Sequence, residues 1–156
     1  FWGAERVFWQ TDGVYTTAVG YAGGDFDNPT YESVCTGKTN HAEVVLVVFD
    51  PKKITFKNLL NIFFTSHDPT QINQQGNDIG TQYRSIILVN EKNDFEESKK
   101  YLVNVQKKFF DFQLGNIATE IKILDHFYYA EDYHQQYLIK NPNGYCNLKN
   151  LSINLD

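Results

Sequence analysis

Apolar and polar positions divide this chain into short segments whose period switches repeatedly. Phe1, Ala4 or Glu5, and Phe8 fall at helical spacing ahead of Thr11-Asp12-Gly13, which predicts a short helix over 1–10 and a turn. Residues 14–21 alternate and are rich in Val, Tyr and Thr, the pattern of a strand, with Gly20, Gly23 and Gly24 closing it in a loop. Asn28-Pro29 reads as an N-cap with proline at the first helical position, and Gly37 stands where a C-cap glycine ends one or two turns. The clearest strand is 41–49, with Glu43, Val45, Val47 and Phe49 on one face and Ala42, Val44, Leu46 and Val48 on the other. Two apolar faces predict a central strand covered on both sides.

Thr55 caps the next predicted helix, whose Phe56, Leu59, Leu60, Phe63 and Phe64 make an apolar stripe that stops near His67-Asp68-Pro69. Residues 69–82 are polar, Gln-rich and punctuated by glycine, a long loop of the kind that carries function. A buried strand is predicted over 84–90, and then the longest helix over 91–111, with acids early and lysines late as the helix dipole prefers. Residues 117–124 alternate as a last strand, 130–140 fit a final helix ended by Pro142 and Gly144, and 147–156 show no pattern. A strand placed ahead of Phe1 would make the first six main elements β-α-β-β-α-β. The expected class is therefore α+β: a two-layer ferredoxin-like plait with additional helices, its first strand missing, in a single N-terminally truncated domain over 1–156.

Composition narrows the chemistry. With 156 residues the chain can bury a core as one domain without disulfide or metal staples. Nineteen acidic against 14 basic side chains leave no electrostatic footprint for nucleic acid or an anionic membrane. No run approaches the roughly 18 apolar residues of a membrane span. Cys35 and Cys146, far apart, do not make a disulfide framework, which points to a reducing compartment. A cytoplasmic monomer is expected, with organellar import left open.

Three stretches could hold chemistry. Glu43 interrupts an apolar strand face, either as a solvated strand start or as a general acid with a raised pKa, and His41 shares its face. The run from Gly76 to Ser85 leads a dense polar sequence into a buried strand, either as a turn ordered by Asp78 with Tyr83 plugging a core edge, or as part of a site. In 127–137, Glu131 and His134 stand at the i, i+3 spacing of one half of a di-metal site; no second Glu-x-x-His occurs, and packed Tyr and His with bonded polar tips is the better reading. Cys35 reads as a small buried hydrophobe, whereas Cys146 lies in a turn-rich segment where its thiol could travel to a partner.

Taken together, Phe1-Trp2-Gly3-Ala4-Glu5, Val19 to Gly24, Asn28-Pro29-Thr30-Tyr31, Gly37-Lys38-Thr39 with His41-Ala42-Glu43-Val44, His67 to Gln71, Gly76 to Ser85, Tyr128 to Tyr137 and Asn141 to Cys146 closely resemble the peptide methionine sulfoxide reductase A family. The match runs in order through almost the whole chain to Cys146. It implies a thiol enzyme, with no cofactor, that reduces the S epimer of methionine sulfoxide, free or in oxidised proteins, and is regenerated by thioredoxin. In that family a Gly-Cys-Phe-Trp-Gly motif sets the nucleophilic cysteine at the mouth of the first helix; here that cysteine would immediately precede Phe1, ahead of the first residue of this sequence.

The resemblance also implies roles. Phe1 and Trp2 would hold the substrate methyl group, Glu43 would donate a proton to the sulfoxide oxygen, and Tyr31 and Tyr83 would hydrogen-bond that oxygen. Asp78 would orient the site and reach the substrate backbone, and Cys146 would be the resolving cysteine. Many relatives carry a further recycling cysteine after a glycine-rich stretch, and residues 147–156 contain none, so a cycle with one resolving cysteine is implied. A relative lacking the nucleophile would instead be a module that binds methionine-sulfoxide-like side chains.

Overall fold

A computed structural model describes residues 1–156. The chain opens with α1 (Trp2–Trp9) and passes into β1 (Val14–Ala22). The five-residue α2 (Tyr31–Cys35) follows, and then β2 (Ala42–Phe49). The α2 cap is Thr30 rather than Asn28: its hydroxyl accepts from the Ser33 N–H while the Ser33 hydroxyl accepts from the Thr30 N–H, a reciprocal box that outcompetes the Asn-Pro signal. Thr55 caps α3 (Phe56–Thr65) as its sequence predicts, its hydroxyl accepting from the Asn58 N–H at 3.1 Å.

Within the expected long loop lies a two-stranded ribbon, β3 (Gln74–Gln75) with β4 (Asp78–Ile79). The Gln71 carboxamide oxygen steadies its turn by accepting from the Gly76 N–H at 2.7 Å. A 3-10 turn over Thr81–Tyr83 leads into β5 (Ile86–Val89), and then come the 20-residue α4 (Lys92–Asp111), β6 (Glu120–Ile123) and β7 (Phe127–Tyr129). No helix is long and apolar enough to cross a membrane.

The predicted last helix over 130–140 breaks into a 3-10 turn at Asp132–His134 and a single turn, α5 (Tyr137–Lys140), separated by Gln136 in the left-handed region (φ 47). Side-chain bonds break the helical period. The Gln135 carboxamide bridges the Val19 N–H and C=O of β1 at 2.8 Å each, and buried Glu5 accepts from the Gln136 N–H at 2.7 Å. These bonds hold the segment open against α1 and β1.

β1 is the central strand. It pairs antiparallel with β2 along its length, setting Tyr21 opposite Glu43 and Val19 opposite Val45, and with β7 on its other edge. β2, expected to be central, is paired on one side only. β5 pairs with β6 in parallel as a second small sheet. Strands β2 and β5 line opposite sides of an apolar slot of about 370 Å³ without pairing to each other. Residues from both faces of β2, Val44 and Leu46 as well as Val45 and Val47, line it together with Leu59 and Phe63 of α3.

Two cores result. The larger packs Leu60 and Phe64 of α3 and Tyr101, Val105 and Phe109 of α4 against Ile87 and Val89 of β5. The smaller joins Val19, Tyr21, Val34 and Ala130, with Phe1, Tyr31 and Val45 packed against it. The second core forms the floor of the site.

Candidate active site

Six separate stretches of chain meet around a cavity of about 170 Å³ at the start of α1. Its walls include Phe1, Trp2, Tyr31, Glu43, Asp78, Tyr83 and Cys146, the seven residues to which the family resemblance gives a role. Gly3, His134, Tyr145 and Asn147 complete it.

Glu43 enters from the start of β2. Its side chain is 7 % exposed, and its Oε2 accepts from the Phe1 backbone nitrogen at 3.0 Å. A solvated strand start is therefore ruled out by burial. His41 does not join it: Nδ1 accepts from the Gly24 N–H and Nε2 donates to the Phe26 carbonyl, so that ring pins the loop after β1.

The two aromatic rings at the chain's start are held differently. Phe1 lies between Tyr21 and His134, with ring centroids at 5.9 and 5.0 Å. Trp2 stacks on Tyr137 at 3.7 Å and 12°, and its Nε1 donates to His134 Nδ1 at 3.1 Å. Two contacts on orthogonal parts of the indole leave it one orientation.

His134 is the main residue that sequence reasoning left outside the site. Its side chain is almost fully buried, and that burial holds its pKa below the ordinary histidine value, so the ring is neutral. Because Nδ1 accepts from Trp2, the proton sits on Nε2, which is buried at the cavity without a protein partner. The signal available in sequence was the Tyr-His pattern of 133–137, but its helical reading hid the direction of the ring.

Glu131 and His134, considered as half of a metal pair, serve different partners. Glu131 accepts from the Tyr21 hydroxyl at 2.8 Å and the Tyr31 N–H at 2.9 Å, which ties the start of α2 to the floor of the site. The Tyr31 phenol is carried into the cavity by that tie. Its pKa is raised by hydrogen bonding to the Cys35 thiol, one helical turn on, and then by burial. Cys35 is thus an exposed thiol beside Tyr31 and not the small buried hydrophobe expected from its place just before the helix end. Tyr83 is pushed up to about 12, first by burial and then by the negative charges of Glu43 and Asp78. Both phenols remain protonated donors at neutral pH.

Asp78, on β4, accepts from Asn147 Nδ2 at 2.8 Å and from the Tyr145 hydroxyl at 3.4 Å. It therefore fastens the segment that carries Cys146. That segment is docked, where its turn-rich sequence suggests free travel. The Cys146 sulfur lies so close to Gly3 that a Cβ on that residue would stand 2.6 Å from it. A glycine at that position admits the sulfur to the first turn of α1.

Comparison with known proteins follows the same lines. A sequence model of the family described as peptide methionine sulfoxide reductase matches residues 1–154. The peptide methionine sulfoxide reductase MsrA of Brucella anthropi is 57 % identical over 153 residues, spanning 98 % of this chain and 70 % of its own. Among solved structures, methionine sulfoxide reductase A of Corynebacterium diphtheriae superposes with a TM-score of 0.89 at 48 % identity, over 93 % of this chain and 72 % of the other. Mxr1 from Saccharomyces cerevisiae in complex with Trx2 matches with a TM-score of 0.61 at 25 % identity, over 97 % and 84 % of the two chains.

Proposed function

The chain belongs to the peptide methionine sulfoxide reductase family, and on that premise we propose that it reduces the S epimer of methionine sulfoxide, free or in oxidised proteins, with thioredoxin as reductant. The observation that carries this reading is the meeting of Phe1, Trp2, Tyr31, Glu43, Tyr83 and Cys146 around one cavity at the mouth of α1. Curated relatives bearing the reductase name favour an enzyme over a binding module.

The chemistry calls for a thiolate beside the acid. A cysteine joined to the Phe1 nitrogen, itself 3.0 Å from Glu43 Oε2, would stand at the N-terminus of α1, where unpaired N–H groups and the helix dipole favour the thiolate. Phe1 and the fixed Trp2 indole grip the substrate methyl group, so that only one sulfoxide epimer turns its oxygen toward Glu43. Glu43 delivers a proton to that oxygen. Tyr31 and Tyr83 donate hydrogen bonds to it as negative charge gathers there. Asp78 orients the wall around Cys146 and reaches the substrate backbone through water.

Oxygen passes from substrate sulfur to enzyme sulfur, leaving methionine and a sulfenic acid. The Cys146 thiol then attacks the sulfenic sulfur; a disulfide forms and the hydroxyl leaves with the thiol proton as water. A thioredoxin dithiol returns both cysteines to thiols and becomes a disulfide itself. The complex of yeast Mxr1 with Trx2 supports this choice of partner.

A Cys146→Ser protein tests the reading. In the form carrying the preceding cysteine, it should release about one methionine per enzyme and then stall with thioredoxin, because the sulfenic acid forms before Cys146 is needed. Undiminished thioredoxin-driven turnover would contradict the assignment of Cys146.

A further inference from the structure

Residues after Cys146 carry no hydrophobic period, yet they are tied down along their length. The Leu151 N–H donates to the Thr65 carbonyl at the end of α3 at 2.7 Å. Leu155, 7 % exposed, is a member of the main core with Phe64, Tyr101 and Phe109. At the near end, Asn147 Nδ2 donates to the Gln75 carbonyl at 2.6 Å and to Asp78 Oδ2 at 2.8 Å, both on the β3/β4 ribbon. Residues 147–155 are therefore a strap fastened to the ribbon at one end and to α3 and α4 at the other. Cys146 stands next to the first fastening, with its sulfur in the notch left by Gly3.

Of the two side chains that reach Asp78, Asn147 is the stronger tie. Its bonds are short and half-buried, whereas the Tyr145 hydroxyl stands at 3.4 Å on an exposed ring. We propose that Asn147 is a positioning residue for the resolving step: its carboxamide latches the strap to the ribbon so that the Cys146 thiol waits at the first turn of α1 while the sulfenic acid forms. This inference rests on the reductase reading above. Asn147 carries no thiol and supplies no proton to the resolving step. It acts by removing the search that a loose thiol would need before attacking the sulfenic sulfur, the step in which the S–S bond forms, the S–O bond breaks and water leaves.

The test uses the protein carrying the cysteine ahead of Phe1, with one equivalent of methionine sulfoxide and no thioredoxin. Methionine release and thiol loss are followed in the same quenched time course, and surviving sulfenic acid is trapped with dimedone. Asn147→Ala should slow disulfide formation about tenfold more than it slows methionine release, the size expected for losing a hydrogen bond to a charged acceptor, and trapped sulfenic acid should accumulate. A merely structural role for Asn147 would lower both rates together. Equal slowing of the two steps, or an unchanged disulfide rate, would overturn the latch while leaving the reductase reading intact. No methionine release from the unaltered protein would overturn the reductase reading and the latch with it.

Discussion

Glu43 carries the heaviest burden of any single side chain. It lies buried at the head of β2, in reach of the Phe1 nitrogen and between the helix mouth and the two phenols. Glu43→Gln keeps the shape and removes the transferable proton, so single-turnover methionine release should fall roughly 100-fold or more; an unchanged rate would take Glu43 out of the mechanism. Gly3 offers a second residue-scale test. Alanine is favoured over glycine in a helix by about 1 kcal/mol, yet a Cβ here would stand 2.6 Å from the Cys146 sulfur and 3.1 Å from Leu148. Gly3→Ala should therefore slow the disulfide step even though its helix propensity rises. Glu43 was legible in sequence because a carboxylate broke an apolar face; the need for Gly3 was not, because its constraint comes from a residue more than a hundred positions away.

Among the elements, the segment between β7 and α5 shows where local pattern loses to tertiary bonding. Its helical spacing is genuine, but three hydrogen bonds from Gln136 and Thr17 converge on the buried carboxylate of Glu5, and Gln135 takes up both backbone groups of Val19. Those partners lie on α1 and β1, out of reach of any window of sequence. Glu5→Ala would remove three hydrogen bonds and leave the Thr17 hydroxyl and the Gln136 N–H without an acceptor, while Gln136 Nε2 keeps the Thr17 carbonyl; it should cost about 3 kcal/mol in urea unfolding, with weaker substrate binding as the platform under Trp2 loosens, and a loss below roughly 0.5 kcal/mol would mean that the network is not structural. The end of α3 adds a pH dependence. Burial holds His67 at about 4, with Nδ1 donating to the Phe63 carbonyl and Nε2 accepting from the Ser85 hydroxyl. An unfolded histidine titrates near 6.5, so below that pH the unfolded chain binds a proton that the folded chain refuses. Stability should fall between about pH 6.5 and 4 by as much as ~3 kcal/mol and level off below. His67→Gln should lack this component of acid destabilisation, and an identical pH profile in the variant would contradict it.

At the scale of the whole molecule, periodicity recovered α1, β1, β2, α3 and α4, because each has one face committed to a core. It did not recover β7, the β3/β4 ribbon or the course of the strap, whose order comes from side-chain bonds and from distant partners. It also could not assign sheet neighbours: β2 looked central from its two apolar faces, but it pairs with β1 alone, and residues of both its faces line the slot shared with β5. The site residues were suggested by the family resemblance and not by periodicity, which left Glu43 and Asp78 with two readings each and hid His134, and the fold brings the seven of them around one cavity. The central claim is that this cavity holds a methyl group against Phe1 and Trp2 while it presents one sulfoxide oxygen to Glu43, Tyr31 and Tyr83. The most direct measurement is single-turnover methionine release from the separated S and R epimers of methionine sulfoxide, using the protein that carries a cysteine ahead of Phe1. Release of one methionine per enzyme from the S epimer, with none from the R epimer on the same timescale, is the predicted result; equal release from both would contradict the account.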